Sequence, residues 1–144
     1  MTVPTTPTGY HSVTPYISVS DANRLIDFMV EAFGAEVTER MTGPDGRVGH
    51  AEVRIGDSMI MLTDASERLP AMITGIYLYV PDADATYKKA LSAGGTSLTE
   101  PADQFYGDRS GGVTDPTGNQ WWIATHIEDV GADELGRRFA QVRG

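Results

Sequence analysis

His50 and Glu52 stand two residues apart in a run of alternating apolar and polar residues, so their side chains leave one face of a strand together. An imidazole and a carboxylate so placed can serve as an acid–base pair or as two ligands of a divalent metal. With Arg54, the next residue on that face, they can equally form a hydrogen-bonded structural cluster. His126 closes a second apolar strand, and if it faced the same space it would complete a set of two histidines and one carboxylate. Catalytic candidates are therefore His50, Glu52 and His126. His11 lies in a polar arm before the first strand and reads as an exposed histidine without a role. A further grouping is Tyr106, Asp108 and Arg109 in the glycine-bounded run 104–109, a loop placed to cover a pocket. Arg109 there either pairs with Asp108 or Asp115 or receives an anionic group of a ligand.

The charge balance narrows the partners. Eleven basic residues against 20 acidic ones leave a net charge of −9 with no basic patch, which repels a nucleic-acid backbone. The same field favours a cationic ligand, although acidity also serves solubility. With no cysteine, disulfides and thiolate chemistry are out of reach, in keeping with a reducing cytoplasm. The first residues lack the basic and apolar regions of a signal peptide, and no run approaches the roughly 18 apolar residues of a membrane span. A cytoplasmic protein is the expectation.

The elements that must position these residues follow from periodicity. Residues 13–19 suit a strand, and Leu25, Ile26, Met29, Val30 and Phe33 recur at helical spacing over 21–33, ended by Gly34. The runs 48–55 and 58–63 are joined by Gly56-Asp57 as a hairpin. The order then returns: strand 76–80, helix 82–93, Gly94-Gly95, and strands 111–114 and 120–126. Sliding the chain on itself by 61 residues sets Tyr16 on Tyr77, Val19 on Val80, Asp21-Ala22 on Asp82-Ala83 and Gly34 on Gly95. These matches fall where helix capping constrains the residue type, which points to an internal duplication. The predicted layout is a polar arm over 1–11, one domain over 12–130 with repeats at about 12–68 and 73–130, and a C-terminal helix within 131–144 that docks on the body or on a partner.

Two βαβββ units in tandem, with D-P-T-G before the last strand and Y-G-D-R-S-G-G ahead of it, resemble the vicinal oxygen chelate superfamily, which includes glyoxalase I and bleomycin-resistance proteins. The stretches GHAEVRIGDSMIML, DQFYGDRSGGVTDPTGNQW and IATHIED look closest to its PhnB-like bacterial branch. The resemblance implies an α+β fold whose two modules form a curved mixed sheet around a concave cleft. In metal-using members each repeat supplies two ligands, one from its first strand and one from its last. By strand register those positions fall here on Thr14, Met61, Gly75 and Trp122, with 75 − 14 and 122 − 61 both equal to 61. A hydroxyl, a thioether, a bare glycine and an indole do not make such a site. No cofactor is expected, and a divalent metal only at a differently placed site.

Strand parity then sorts the faces. Ile17, Val19, Ile60, Leu62, Ile76, Leu78, Val80, Trp121 and Ile123 would face the helices. Thr14, Tyr16 and Ser18, His50, Glu52 and Arg54, Met59, Met61 and Thr63, Tyr77 and Tyr79, and Trp122 and His126 would line the other face. Of these, Tyr16, His50, Glu52, Met61, Tyr77, Tyr79 and Trp122, joined by Tyr106 and Arg109, are the candidate ligand contacts. Rings with a few polar handles suit a flat or apolar ligand, aromatic or cationic, unless they fill a second core or meet another subunit. The leading expectation is a metal-independent small-molecule-binding protein concerned with drug sequestration or resistance. The alternatives are a lyase, isomerase or dioxygenase-like enzyme using His50 and Glu52, and a dimerisation module. Open sheet edges further predict a homodimer.

Overall fold

In the computed structural model, which describes residues 2–143, each half of the domain is a strand, a helix and three strands. The first half is β1 (Tyr16–Val19), α1 (Ala22–Phe33), β2 (Glu36–Thr42), β3 (Val48–Ile55) and β4 (Ser58–Asp64). The second is β5 (Gly75–Tyr79), α2 (Ala83–Ser92), β6 (Thr96–Asp103), β7 (Asp108–Thr114) and β8 (Gln120–His126), followed by α3 (Ala132–Arg143). The mixed sheet is divided into two four-stranded sheets of the same topology, β1-β4-β3-β2 and β5-β8-β7-β6. In each, the first strand runs parallel to the last and the other pairs are antiparallel.

The duplication extends to single hydrogen bonds. Asp21 accepts from the Arg24 amide and Asp82 from the Ala85 amide, both at 3.1 Å, capping α1 and α2 alike. One residue further in, the Ala22 amide donates to Asp64 Oδ1 at 2.7 Å and the Ala83 amide to Thr125 Oγ1 at 2.9 Å. Every one of these pairs is related by the 61-residue offset. Each helix is thus tied to the last strand of its module through an orphan N–H of its first turn. Gly34 ends α1 in the left-handed region at φ 65°, which a residue with a Cβ adopts only under strain.

The strands the sequence marks are those with buried alternation. β3 buries Val48, Ala51, Val53 and Ile55, and the Gly56-Asp57 turn returns it directly into β4. β2 and β6 escape notice in the sequence because nearly every residue in them is exposed. They are edge strands, and β6 carries Pro101 and two shifts of register, features that blunt an edge against further pairing.

A single core joins the halves. Ile17, Val53 and Leu62 of the first sheet and Val113, Trp121 and Ile123 of the second belong to one buried cluster with Leu25, Phe28 and Met29 of α1. Trp121 sits at its centre, its ring centroid 4.8 Å from that of Phe33 and 6.4 Å from that of Phe28. The helix-bearing faces of both sheets therefore look into the same core, and the opposite face of each sheet is turned away from it. The D-P-T-G turn serves this core: buried Asp115 accepts from the Thr117 and Asn119 amides and, at 2.7 Å, from Trp121 Nε1. No residue of α3 is buried. It touches the body through Arg138, which binds Glu128 and the Phe105 carbonyl, and through Phe139, whose ring lies 5.8 Å from that of Phe105. Among the described residues no helix is long and apolar enough to cross a membrane.

Candidate functional site

Two outward faces carry the candidate residues. On the first sheet the register sets Tyr16 beside Met61 and Met61 beside Glu52, so one row runs ring, thioether, carboxylate. His50 Nε2 lies 2.9 Å from Glu52 Oε2, and the Tyr16 ring is 5.9 Å from the imidazole. Arg54 does not join them; it pairs with Glu36 of the edge strand at 2.8 Å. Ser18 and Thr63, on the same face, are buried: Ser18 donates to the Leu69 carbonyl of the segment after β4, and Thr63 to the Gly49 carbonyl of the neighbouring strand β3. Tyr16 lines a hollow of about 420 Å³ with Thr63, Ser66, Arg68 and Leu69. A shallower one of about 580 Å³ lies between the β2–β3 turn and residues 63–66.

The second face is the more aromatic. β5 places Tyr77 beside Trp122, and Trp122 lies flat against Gly112, where an added Cβ would come within 2.4 Å of the indole. The bare backbone at Gly112 is what lets that ring lie down on the sheet. Tyr79 stands beside Ala124, one strand from Ser110, and Asp108 pairs with His126 at the far end. Tyr77 is 41% and Tyr79 59% exposed, whereas Asp108 is 2% exposed.

Asp108 organises this face. Its Oδ2 accepts the Tyr77 hydroxyl at 2.7 Å and the Tyr79 hydroxyl at 2.8 Å, and its Oδ1 accepts His126 Nδ1 at 2.8 Å. The Tyr106 hydroxyl lies 3.3 Å from that of Tyr77, and His126 Nε2 lies 2.7 Å from Asp129. Burial by itself would raise the Asp108 carboxyl, but hydrogen bonds from His126 and the two tyrosines outweigh it and hold the group below the usual carboxylate range. His126, facing Asp108 and Asp129, is raised above the ordinary imidazole value. Both tyrosines are pushed up, Tyr77 chiefly by burial and Tyr79 chiefly by its bond to Asp108.

Several expectations change. Asp108 and Arg109 begin strand β7 and do not lie in a loop. Arg109 leaves the other side of that strand and pairs with Asp84 of α2 at 2.7 Å and Asp103 at 3.1 Å, not with Asp108 or Asp115. Its alternating position turns it from the aromatic face, so its charge fastens α2 to the sheet. His126 is not gathered with His50 and Glu52. Among the described residues no group of three or more His, Cys, Asp or Glu side chains is arranged to hold a metal. Thr14 precedes β1, which sets Tyr16 beside Met61, and Gly75 lies opposite Gln120. His11, which is exposed, borders a small hollow of about 200 Å³ with Val13, Pro15, Ile76 and Trp121. The role of Asp108 as a shared acceptor was not legible, although tyrosines two apart on a strand were a signal that two hydroxyls would seek one partner.

The chain matches the Glyoxalase/Bleomycin resistance protein/Dioxygenase superfamily over residues 9–123. It belongs to that superfamily. An uncharacterized protein of Mycobacterium tuberculosis (strain H37Rv) is 38% identical over 135 residues, covering 86% of this chain and 79% of its own. Among solved structures, TioX from Micromonospora sp. ML1 superposes with a TM-score of 0.70 at 21% identity, over 81% of this chain and 99% of that one. TnmS3 from Streptomyces sp. CB03234, an antibiotic binding protein, does so with a TM-score of 0.65 at 25% identity, over 81% and 95%. As a superfamily member the chain presents both βαβββ modules, each with one sheet face packed on helices.

Proposed function

We propose that this chain is a metal-independent small-molecule-binding protein that holds a flat aromatic or cationic ligand without altering it, in drug sequestration or resistance. The observation that carries this reading is the aromatic face of the second sheet: Tyr77, beside Trp122, and Tyr79, beside Ala124, both stand exposed on it. Exposed rings held rigid by their own hydrogen bonds offer large contact area at little entropic cost. The thioether and indole at Met61 and Trp122, with phenols beside them, are a donor set unlike that of the metals the superfamily's enzymes use. The likeness to an antibiotic binding protein supports the same direction.

One chain supplies only one wall to a ligand on either face, since both faces look away from the common core. A homodimer in which the first-module face of one protomer opposes the second-module face of the other would close the cleft. The lack of cysteine and the charge of −9 fit a cytoplasmic setting, and within the superfamily we place the chain in the PhnB-like branch on its GHAEVRIGDSMIML and YGDRSGG stretches.

Of the two tryptophans, Trp121 is fully buried and Trp122 is partly exposed, which makes tryptophan emission a direct test. Titration with a panel of aromatic and cationic compounds is expected to quench emission saturably, and Trp122→Phe should abolish the response while leaving the Trp121 signal. A panel with neither quenching nor a thermal shift would refute the reading. The 2.9 Å contact of His50 with Glu52 supports a second reading, a lyase, isomerase or dioxygenase-like enzyme with or without a divalent metal. Stoichiometric metal in chelator-free protein, lost in His50→Ala, would favour its metal-dependent form.

A further inference from the structure

The hydroxyl protons of the aromatic face can be assigned one by one, and their directions select a ligand. A tyrosine hydroxyl has one proton to donate and lone pairs to offer. The protons of Tyr77 and Tyr79 both point at Asp108 Oδ2, at 2.7 and 2.8 Å. Because the Tyr77 proton is committed there, the 3.3 Å contact with Tyr106 is made by the Tyr106 proton on the Tyr77 oxygen. All three hydroxyls therefore turn their protons inward along a chain that ends on one buried carboxylate, and what they present to solvent is lone pairs. His126 likewise aims both ring nitrogens at carboxylates, Asp108 and Asp129. The surface thus combines π-faces with hydrogen-bond acceptors and no free hydroxyl proton. A cation with N–H groups meets both features: the charge lies favourably over the Tyr77 and Tyr79 rings, whose centroids are 5.3 Å apart, and the N–H groups reach the phenolic oxygens. An anion or an acceptor-rich ligand meets lone pairs and negative ring faces, in a protein of net charge −9.

We propose that the Tyr77–Tyr79–Tyr106 face selects planar cationic ligands that carry N–H donors, an aromatic amine or amidine, with Asp108 as the residue that sets this polarity by holding the hydroxyl protons inward. This deepens the small-molecule-binding reading and rests on it. Asp108 itself touches no ligand; it is a positioning residue, and its effect is on which groups the tyrosines can accept.

Three fluorescent probes separate the possibilities: proflavine, a planar cation with free amino N–H groups; acridine orange, the same ring cation with those groups methylated; and fluorescein, a planar anion. Equilibrium titration of the full chain is expected to rank proflavine first, by roughly tenfold over acridine orange, the size of a hydrogen bond to a charged group, with fluorescein weakest. The decisive variant is Asp108→Asn. An asparagine amide donates to the tyrosine oxygens, which frees their protons to turn outward, so the preference for proflavine over acridine orange should collapse and fluorescein should gain. Tyr79→Phe, which removes one acceptor but keeps the ring, should weaken proflavine more than acridine orange. Far-UV circular dichroism confirms that each variant is folded, and a misfolded Asp108→Asn leaves Tyr79→Phe to decide. Equal binding of the two cations, or a ratio unchanged in the variants, overturns the inference while leaving a general aromatic-binding function standing. Failure of all three probes to bind overturns both.

Discussion

Asp108 and His126 face each other at 2.8 Å, and their pH behaviour has opposite signs. His126 gains carboxylate partners on folding, so its folded pKa lies above the ordinary 6.5. The stability it contributes is present in full below that value and fades as pH rises through the folded pKa. The Asp108 carboxyl is held below its ordinary 3.8, so its contribution is present above that value and is lost as pH falls through the folded pKa. Between the two, the pair is ionised and the tyrosine hydroxyls keep their inward direction. An NMR titration of the His126 imidazole should give a midpoint above 6.5, and Asp108→Asn should bring it down. A wild-type midpoint at or below 6.5 would contradict the arrangement. Arg109 illustrates the opposite outcome at this scale: its pairs with Asp84 and Asp103 are partly exposed, and solvent screening leaves pairs of that kind contributing little to stability.

At the scale of elements, each helix is held at its start by two devices, the N-cap aspartate and an acceptor on the last strand of the module. In the first module the second device does more, because Asp64 accepts the Val48 amide at 2.6 Å as well as the Ala22 amide at 2.7 Å, joining α1, β3 and β4 through one side chain. Asp21→Ala should cost about 1 kcal/mol, the usual loss of a cap. Asp64→Ala should cost more, about 2 kcal/mol, since two partly buried amides lose their acceptor. Urea unfolding of the two variants checks the order; equal losses would mean that the second amide held by Asp64 adds nothing beyond the first. α1, the hairpin of β3 and β4, and the caps were readable because each repeats a local pattern of burial or turn chemistry. β2 and β6 were not, because an exposed edge strand has no apolar period, and its pairing is decided by the strand beside it.

At the scale of the molecule, the shared core has a consequence for assembly. Phe28 and Phe33 of the first module rest on Trp121 of the second, so the two sheets turn their helix sides inward and their opposite faces outward. Each face then lacks an opposing wall within the chain. Exposed Met72, Ile73, Tyr16 and Tyr77 leave apolar area that a second copy would cover. Light scattering after size-exclusion chromatography should report about twice the chain mass of 15.5 kDa. One chain mass at micromolar concentration would remove the dimer and require the cleft to be open on one side.

The sequence by itself determined the α+β class, the two repeats and their 61-residue offset, and the membership of the aromatic face, because period and parity are local properties of a strand or helix. Tyr77, Tyr79 and Trp122 were legible in this way. The partners of charged side chains were not: Arg109 was read toward Asp108 or Asp115 and went to Asp84 and Asp103, and Arg54 went to Glu36. The convergence of Tyr77, Tyr79 and His126 on Asp108 joins three strands, β5, β7 and β8, across separations of up to 31 residues. Only the tertiary structure decides such contacts, since which strand neighbours which, and which face of β7 a residue leaves, is settled by packing against the common core.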